Sequence, residues 1–161
     1  FLEPLESTSI HLIQSGIAKL LALFPRRGDD PLVAEQFDRV FGQEMLDVRD
    51  FLVLHYKMTA GRDEPLWRYC QDMPIPDTLA YRIDQFRASG RLVLSTDELF
   101  RDASWFAVMD GQGIRPADYN PMIETMSEAD NRRHVEAVRA AIAQAVTQLP
   151  PLPLPSDIGK A

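Results

Sequence analysis

This sequence predicts a mainly α-helical fold, on three observations. Apolar residues recur at helical spacing over long stretches. Capping residues and Pro or Gly breaks punctuate those stretches. The only strand-like run, Leu92-Val93-Leu94, is three residues long.

The elements follow in order. From Ile10 the apolar positions are Ile10, Ile13, Ile17, Leu20, Leu21 and Phe24, one face at a period of about 3.6 residues. The opposite side carries His11, Ser15, Ala18 and Ala22, small enough for another backbone to approach, and Pro25 with Gly28 ends the helix. Asp30-Pro31 then supplies an N-cap and a proline at the first helical position. An apolar stripe runs on through Val33, Phe37, Val40, Phe41, Met45, Val48, Leu52 and Tyr56, and Gly42 inside it predicts a kink or a junction. A short helix is expected over 64–71, and another, capped by Asp77, ends near Gly90 with Leu79, Ile83 and Phe86 on one face. Ser95-x-x-Glu98 has the capping-box pattern for a further short helix, and Gly111-Gln112-Gly113 reads as a turn. Ser127-x-x-Asp130 opens the last helix, striped by Val135, Val138, Ile142, Val146 and Leu149, while Glu128, Arg132 and Glu136 form i,i+4 pairs on its solvated side. The organisation is thus a helical region over 1–149 and a proline-rich tail over 150–161.

Composition narrows the function classes. A net charge of −7 without a long basic run argues against nucleic acid. No apolar stretch approaches the roughly 18 residues of a membrane span. Cys70 is the single cysteine, so no internal disulfide forms and the cytoplasm is the expected compartment. The three histidines are scattered, without metal-ligand spacing, and no metal site is expected. The opening FLEPLE lacks the basic flank of a signal peptide and reads like the interior of a longer chain.

That opening stretch, FLEPLESTSIHLI, is also where chemistry is most concentrated. Ser7, Thr8 and Ser9 are each competent N-caps, so the helix starts at one of them. A helix start offers backbone N–H groups and partial positive charge, which can hold an anion. Glu6 sits just outside it, placed for electrostatic or proton work. Simple capping and an anion site both remain open at this point.

The segment FLEPLEST resembles the signature of the flavin-dependent tryptophan halogenase family, and DVRDFLVLHYKM, SWFAVMDGQGIRP and DYNP resemble later segments of that family in the same order. The resemblance covers the chain from Phe1 to about Pro121. It implies the helical C-terminal part of an FAD-dependent, monooxygenase-like α/β flavoprotein, with the flavin-binding Rossmann part absent from this chain. No G-x-G-x-x-G occurs here. The family's catalytic lysine is implied to lie in that N-terminal part, since Lys19, Lys57 and Lys160 stand in other contexts.

In the family, reduced FAD from a flavin reductase reacts with oxygen to a hydroperoxide. A chloride or bromide attacks it, and the hypohalous acid passes to a small aromatic substrate. Carried over residue by residue, the resemblance implies Glu6 as the catalytic carboxylate and Ser7 as its neighbour in the active group. It implies the amides of Thr8 and Ser9 as the halide holders, and Ser9 and Ile10 as the flavin-facing positions. Ser9 stands where well-known members have glycine, which keeps the N–H and narrows the site. The aromatic-rich insertion of tryptophan-specific members is replaced by the short STDELFRDASWF, leaving Trp105 and Phe106 as candidate ring contacts and pointing to an indole, phenol or other electron-rich arene rather than free tryptophan. A homodimer stays open as the assembly state.

His55-Tyr56 reads as core or interface, Trp67 as helix packing, and Cys70 as a small apolar residue. Two competing readings have their own signatures. A hydroxylating flavin monooxygenase would not need halide. A non-catalytic helical interaction module would show no exposed apolar face, whereas the halogenase reading predicts one where the flavin part packs.

Overall fold

Asp30 accepts hydrogen bonds from the backbone N–H groups of Leu32 and Val33 (3.1 and 3.4 Å), Pro31 takes the first helical position, and the long helix α2 (Pro31–Lys57) begins there. The computed structural model describes residues 5–25, 28, 30–95 and 97–150. Glu3, Pro4, the Arg26-Arg27 pair and the proline-rich tail beyond Pro150 lie outside the described residues. Around α2 stand α1 (Thr8–Ala22), α3 (Pro65–Asp72), α4 (Asp77–Ser89) and α5 (Asp102–Gly111), and a 3₁₀ turn (Leu5–Ser7) precedes α1. All four of those helices pack on α2. Gly42 produces neither kink nor junction, because one glycine costs a helix only about 1 kcal/mol and the packing on both sides of it exceeds that.

The core lies where α2, α4 and α5 meet. Phe51, Leu54, Leu79, Ile83, Phe86, Trp105, Met109 and Ile114 form one buried cluster. The helical face expected from Leu79, Ile83 and Phe86 is the face buried against α2. A leucine-to-alanine change at a fully buried position such as Leu54 costs about 2–5 kcal/mol. Asp50 is buried on the same helix and is satisfied by Arg49 (2.7 and 3.0 Å) and by the Thr78 hydroxyl, which ties α2 to α4. Lys57 closes the end of α3 by donating to the carbonyls of Gln71 and Met73, and Trp67 stacks on Tyr56 at 6.0 Å.

Three local expectations are corrected. Leu92-Val93-Leu94 is not a strand, and no strand occurs among the described residues. Leu92 and Leu94 pack on the core while Val93 is exposed, so the run alternates like a strand but has no neighbour to hydrogen-bond. Asp77 is the first residue of α4 rather than its cap, which is Pro76. Half of the Ser95–Glu98 box exists, since Glu98 accepts the Ser95 N–H (3.0 Å), but the next helix starts only at Asp102. The Glu98 carboxylate is also bound by Arg82 through two bonds (2.9 and 3.0 Å) and serves as its buried counter-ion.

On α1 the larger surprise is which face packs. The apolar stripe points outward: Ile10, Ile13, Ile17, Leu20, Leu21 and Phe24 are all exposed. The opposite face meets α2 through Leu12, and at Gly16 a β-carbon would stand only 3.0 Å from the Phe41 ring. There Glu44 receives His11 (2.7 Å), Ser15 (2.6 Å) and Lys19 (2.7 Å). Of the residues expected on the side that admits another backbone, His11 and Ser15 reach α2, whereas Ala18 and Ala22 are exposed.

By its internal contacts the chain divides between Tyr119 and Asn120. The second unit contains a 3₁₀ turn (Pro121–Thr125) and α6 (Glu128–Gln148). Ser127 caps α6 by accepting the Asp130 N–H (3.1 Å), and Arg132 pairs with Glu128 at 2.9 Å. Its apolar stripe from Val135 to Leu149 is exposed.

Candidate functional site

The opening motif is anchored at both ends. Leu5 packs against the cluster of Leu12, Val48 and Leu52, and Thr8 is fully buried. Between these anchors Glu6 (φ 58°, ψ 9°) and Ser7 (φ 55°, ψ 27°) both adopt left-handed backbone. Among the described residues they are the only non-glycines with positive φ. Each such residue costs about 1–3 kcal/mol and persists only where its surroundings impose it, a pattern concentrated at functional sites. The anchors Leu5 and Thr8 supply that imposition.

The turn delivers two features to one place. Ser7 occupies the N-cap position of α1, yet its hydroxyl makes no capping hydrogen bond, so the helix mouth formed by Thr8 and Ser9 has no side-chain cap from that residue. The Thr8 hydroxyl is buried without a hydrogen-bond partner, a polar wall at the same mouth. Glu6 remains about half exposed, and its Oε1 lies 3.9 Å from Nε2 of His55, near the end of α2.

His55 is itself fixed from below. Its Nδ1 is 2.8 Å from the Phe51 carbonyl oxygen, which only accepts, so Nδ1 carries a proton. In the neutral ring Nε2 is therefore the bare nitrogen, and it is the one facing Glu6. The ring stands edge-on to Phe51 (4.7 Å), which in turn stacks on Phe100 (3.8 Å) and meets Trp105 edge-on (4.9 Å). A rigid aromatic floor thus holds the imidazole.

The structure places the contiguous Glu6, Ser7, Thr8 and Ser9 at the start of α1 and sets His55, which the sequence reading placed in the core or an interface, beside Glu6. A histidine far along the chain gives no local signal that it will meet the motif. Ile10 is exposed beside the mouth. Trp105 requires correction as a ring contact: it is fully buried, with Phe51 at its edge and the Arg82 guanidinium over its face at 4.5 Å. No surface remains on it for a substrate. Phe106 keeps half its surface and stands edge-on to Phe86 at 5.8 Å.

A second carboxylate, Glu44, was also missed. Burial pushes its carboxyl up, but the hydrogen bonds from Lys19, Ser15 and His11, with the Lys19 charge, outweigh that and hold it below the ordinary glutamate value. A groove of about 770 Å³ runs beside it, lined in part by Lys19, Arg39, Asp47 and Asp97, and none of the expected site residues borders it. Among the described residues no group of His, Cys, Asp and Glu has the makings of a metal site, and no helix is long and apolar enough to cross a membrane.

A half-exposed carboxylate on a strained turn, next to a helix start with a buried, unpartnered hydroxyl, is an arrangement chemically able to handle anions and protons. The chain matches the family described as tryptophan halogenase over residues 1–128. It is similar to the solved structure of Xcc4156, a flavin-dependent halogenase from Xanthomonas campestris, with a TM-score of 0.86 and 43% identity over 94% of this chain and 30% of that one. It is likewise similar to BrvH, a flavin-dependent halogenase from Brevundimonas sp. BAL3, with a TM-score of 0.85 and 43% identity over 93% of this chain and 30% of that one. Tryptophan 7-halogenase KtzQ of Kutzneria sp. (strain 744) is 26% identical over 164 residues, 92% of this chain and 30% of its own length. The chain belongs to the tryptophan halogenase family, and it spans about 30% of the length of the relatives it matches.

Proposed function

We propose that this chain carries the halide mouth and the acid–base carboxylate of a flavin-dependent halogenase that chlorinates or brominates an electron-rich, indole-like arene. The single observation behind this is the pair of left-handed residues, Glu6 and Ser7, held at the entrance of α1. Family membership favours this over a non-catalytic helical module.

The residues fit a halide. A helix start concentrates N–H groups and partial positive charge, and here that start is Thr8 followed by Ser9, with Ser7 making no side-chain cap. They do not by themselves fit a dinucleotide, since the sequence has no glycine-rich phosphate loop. In this reading FAD is held by an N-terminal part of the same enzyme, with only Ser9 and Ile10 of this chain facing it. Reduced FAD, delivered by a flavin reductase, supplies with oxygen and halide the hypohalous acid for the substitution.

The chain's own residues then act on protons and position. Thr8 and Ser9 amides fix the halide, and Ser7 shapes the turn that presents Glu6. The overall exchange converts ArH and HOX to ArX and water, and Glu6 either polarises the electrophile or takes the proton that leaves the ring carbon. The exposed face of α1, Ile10 to Phe24, supports packing against the flavin-binding part, as an apolar surface of this size calls for a cover. In this reading the short segment 95–106, which replaces the aromatic-rich insertion implied for tryptophan-specific members, supports an arene other than free tryptophan, and the cytoplasm is the working compartment.

The test is Glu6→Gln in the full-length enzyme carrying this chain, assayed with a reductase, bromide and a panel of arenes. Product formation should fall by about 10²–10⁴-fold, the range of general acid–base catalysis, while flavin oxidation continues. Near-normal product would remove Glu6 from the chemistry, and product that forms equally without halide would return the protein to hydroxylation.

A further inference from the structure

We propose that His55 is a positioning residue that orients Glu6 and takes over the proton that Glu6 removes from the ring. The inference rests on the reading of Glu6 as the acid–base group and extends it to a residue on another helix.

Three observations carry it. The Phe51 carbonyl holds the Nδ1 proton, so the bare nitrogen of the neutral imidazole is the one turned to Glu6. The aromatic floor of Phe51, Phe100 and Trp105 fixes the ring plane, and the His55 carbonyl is held separately by the Thr59 hydroxyl (2.7 Å) and by Gln112 (3.4 Å). Among the described residues, Glu6, from the turn before α1, is an ionisable group facing the ring, and Phe51 lies edge-on against it. At 3.9 Å the two groups are just beyond hydrogen-bond range, and about 1 Å of side-chain movement closes the gap.

A bare imidazole nitrogen opposite a carboxylate makes a slot for one proton. Halogenation releases one. The ring C–H bond breaks, its electron pair restores the aromatic system, and the proton goes to a Glu6 oxygen and then to Nε2 of His55. The imidazolium pairs with the regenerated carboxylate until the proton leaves to solvent, which reaches both side chains in this chain. Glu6 is thereby ready for the next substrate. The strained backbone at Glu6 and Ser7 gains a purpose as well, since it turns the carboxylate towards α2 instead of along α1.

The experiment uses the full-length enzyme with two replacements. His55→Asn keeps an N–H for the Phe51 carbonyl and lacks the Nε2 atom, while His55→Gln places a non-titrating amide near it. Both should lower kcat for halogenation roughly tenfold, less than the loss at Glu6 itself, with KM and flavin oxidation unchanged. A primary isotope effect should appear with arene deuterated at the halogenated carbon, because removal of the ring proton becomes slow. Adding His55→Asn to Glu6→Gln should cost nothing further. A wild-type kcat without an isotope effect in both variants overturns the role of His55, as does full activity in His55→Gln alone. Should Glu6→Gln itself stay active, the reading of Glu6 fails first, and that outcome is separate from either result at His55.

Discussion

Two carboxylates on this chain each face a histidine, and they illustrate opposite uses of the same pair. Glu44, between α1 and α2, is almost buried and saturated by His11 at 2.7 Å, Ser15 at 2.6 Å and Lys19 at 2.7 Å. Glu6 is half exposed, sits on left-handed backbone, and has His55 at 3.9 Å. The first has its lone pairs occupied and clamps two helices. The second has capacity left over, and in the proposed function strain holds it where that capacity is useful. Saturation, more than residue type or proximity to histidine, separates a structural carboxylate from a chemical one.

The comparison can be broken at its foundations. Trp105→Ala removes the floor under Phe51 and His55 and leaves a large void, so the full-length enzyme should lose about 3–5 kcal/mol of stability, seen as a lowered Tm. A raised KM for substrate with an unchanged Tm would instead restore Trp105 as a ring contact. Glu44→Ala strips the clamp and leaves Lys19 and Ser15 without their acceptor. A smaller loss of about 1–3 kcal/mol is expected, with kcat unaffected once the protein is folded. A collapse of kcat at constant stability would show the two carboxylates to be less distinct than their geometry implies.

The smallest effect is a dependence on pH. Glu44 is held below its ordinary value, so it binds its proton more weakly when folded than when unfolded. Its stabilisation is present above the usual glutamate range and disappears as pH falls through the folded value. Asp47 has the opposite sign: burial, then the charges of Glu98 and Asp50, raise it against the Gln43 hydrogen bond and Arg82. Its contribution is present at low pH and is lost as pH rises through its raised value. Urea midpoints measured from neutral to acid pH should therefore fall less steeply in Glu44→Gln than in the parent. An identical slope in both would remove Glu44 from the acid response.

The sequence alone determined what depends on near neighbours. Asp30-Pro31 and Ser127-x-x-Asp130 open helices where expected, because a cap is a bond between residues two or three apart. Glu6, Ser7, Thr8 and Ser9 were legible as a candidate site because they are contiguous. The fold decided everything that joins distant segments. Apolar periodicity shows that α1 has a face to bury but not against what, and here α2 takes the other side through Leu12, Gly16 and the Glu44 clamp. Trp105 could be read as a ring contact until α2 and α4 closed over it, and His55 became a partner of Glu6 only when α2 carried it beneath the turn. Short-range hydrogen bonds are written in neighbouring residues, whereas burial and long-range pairing exist only once helices have chosen their partners.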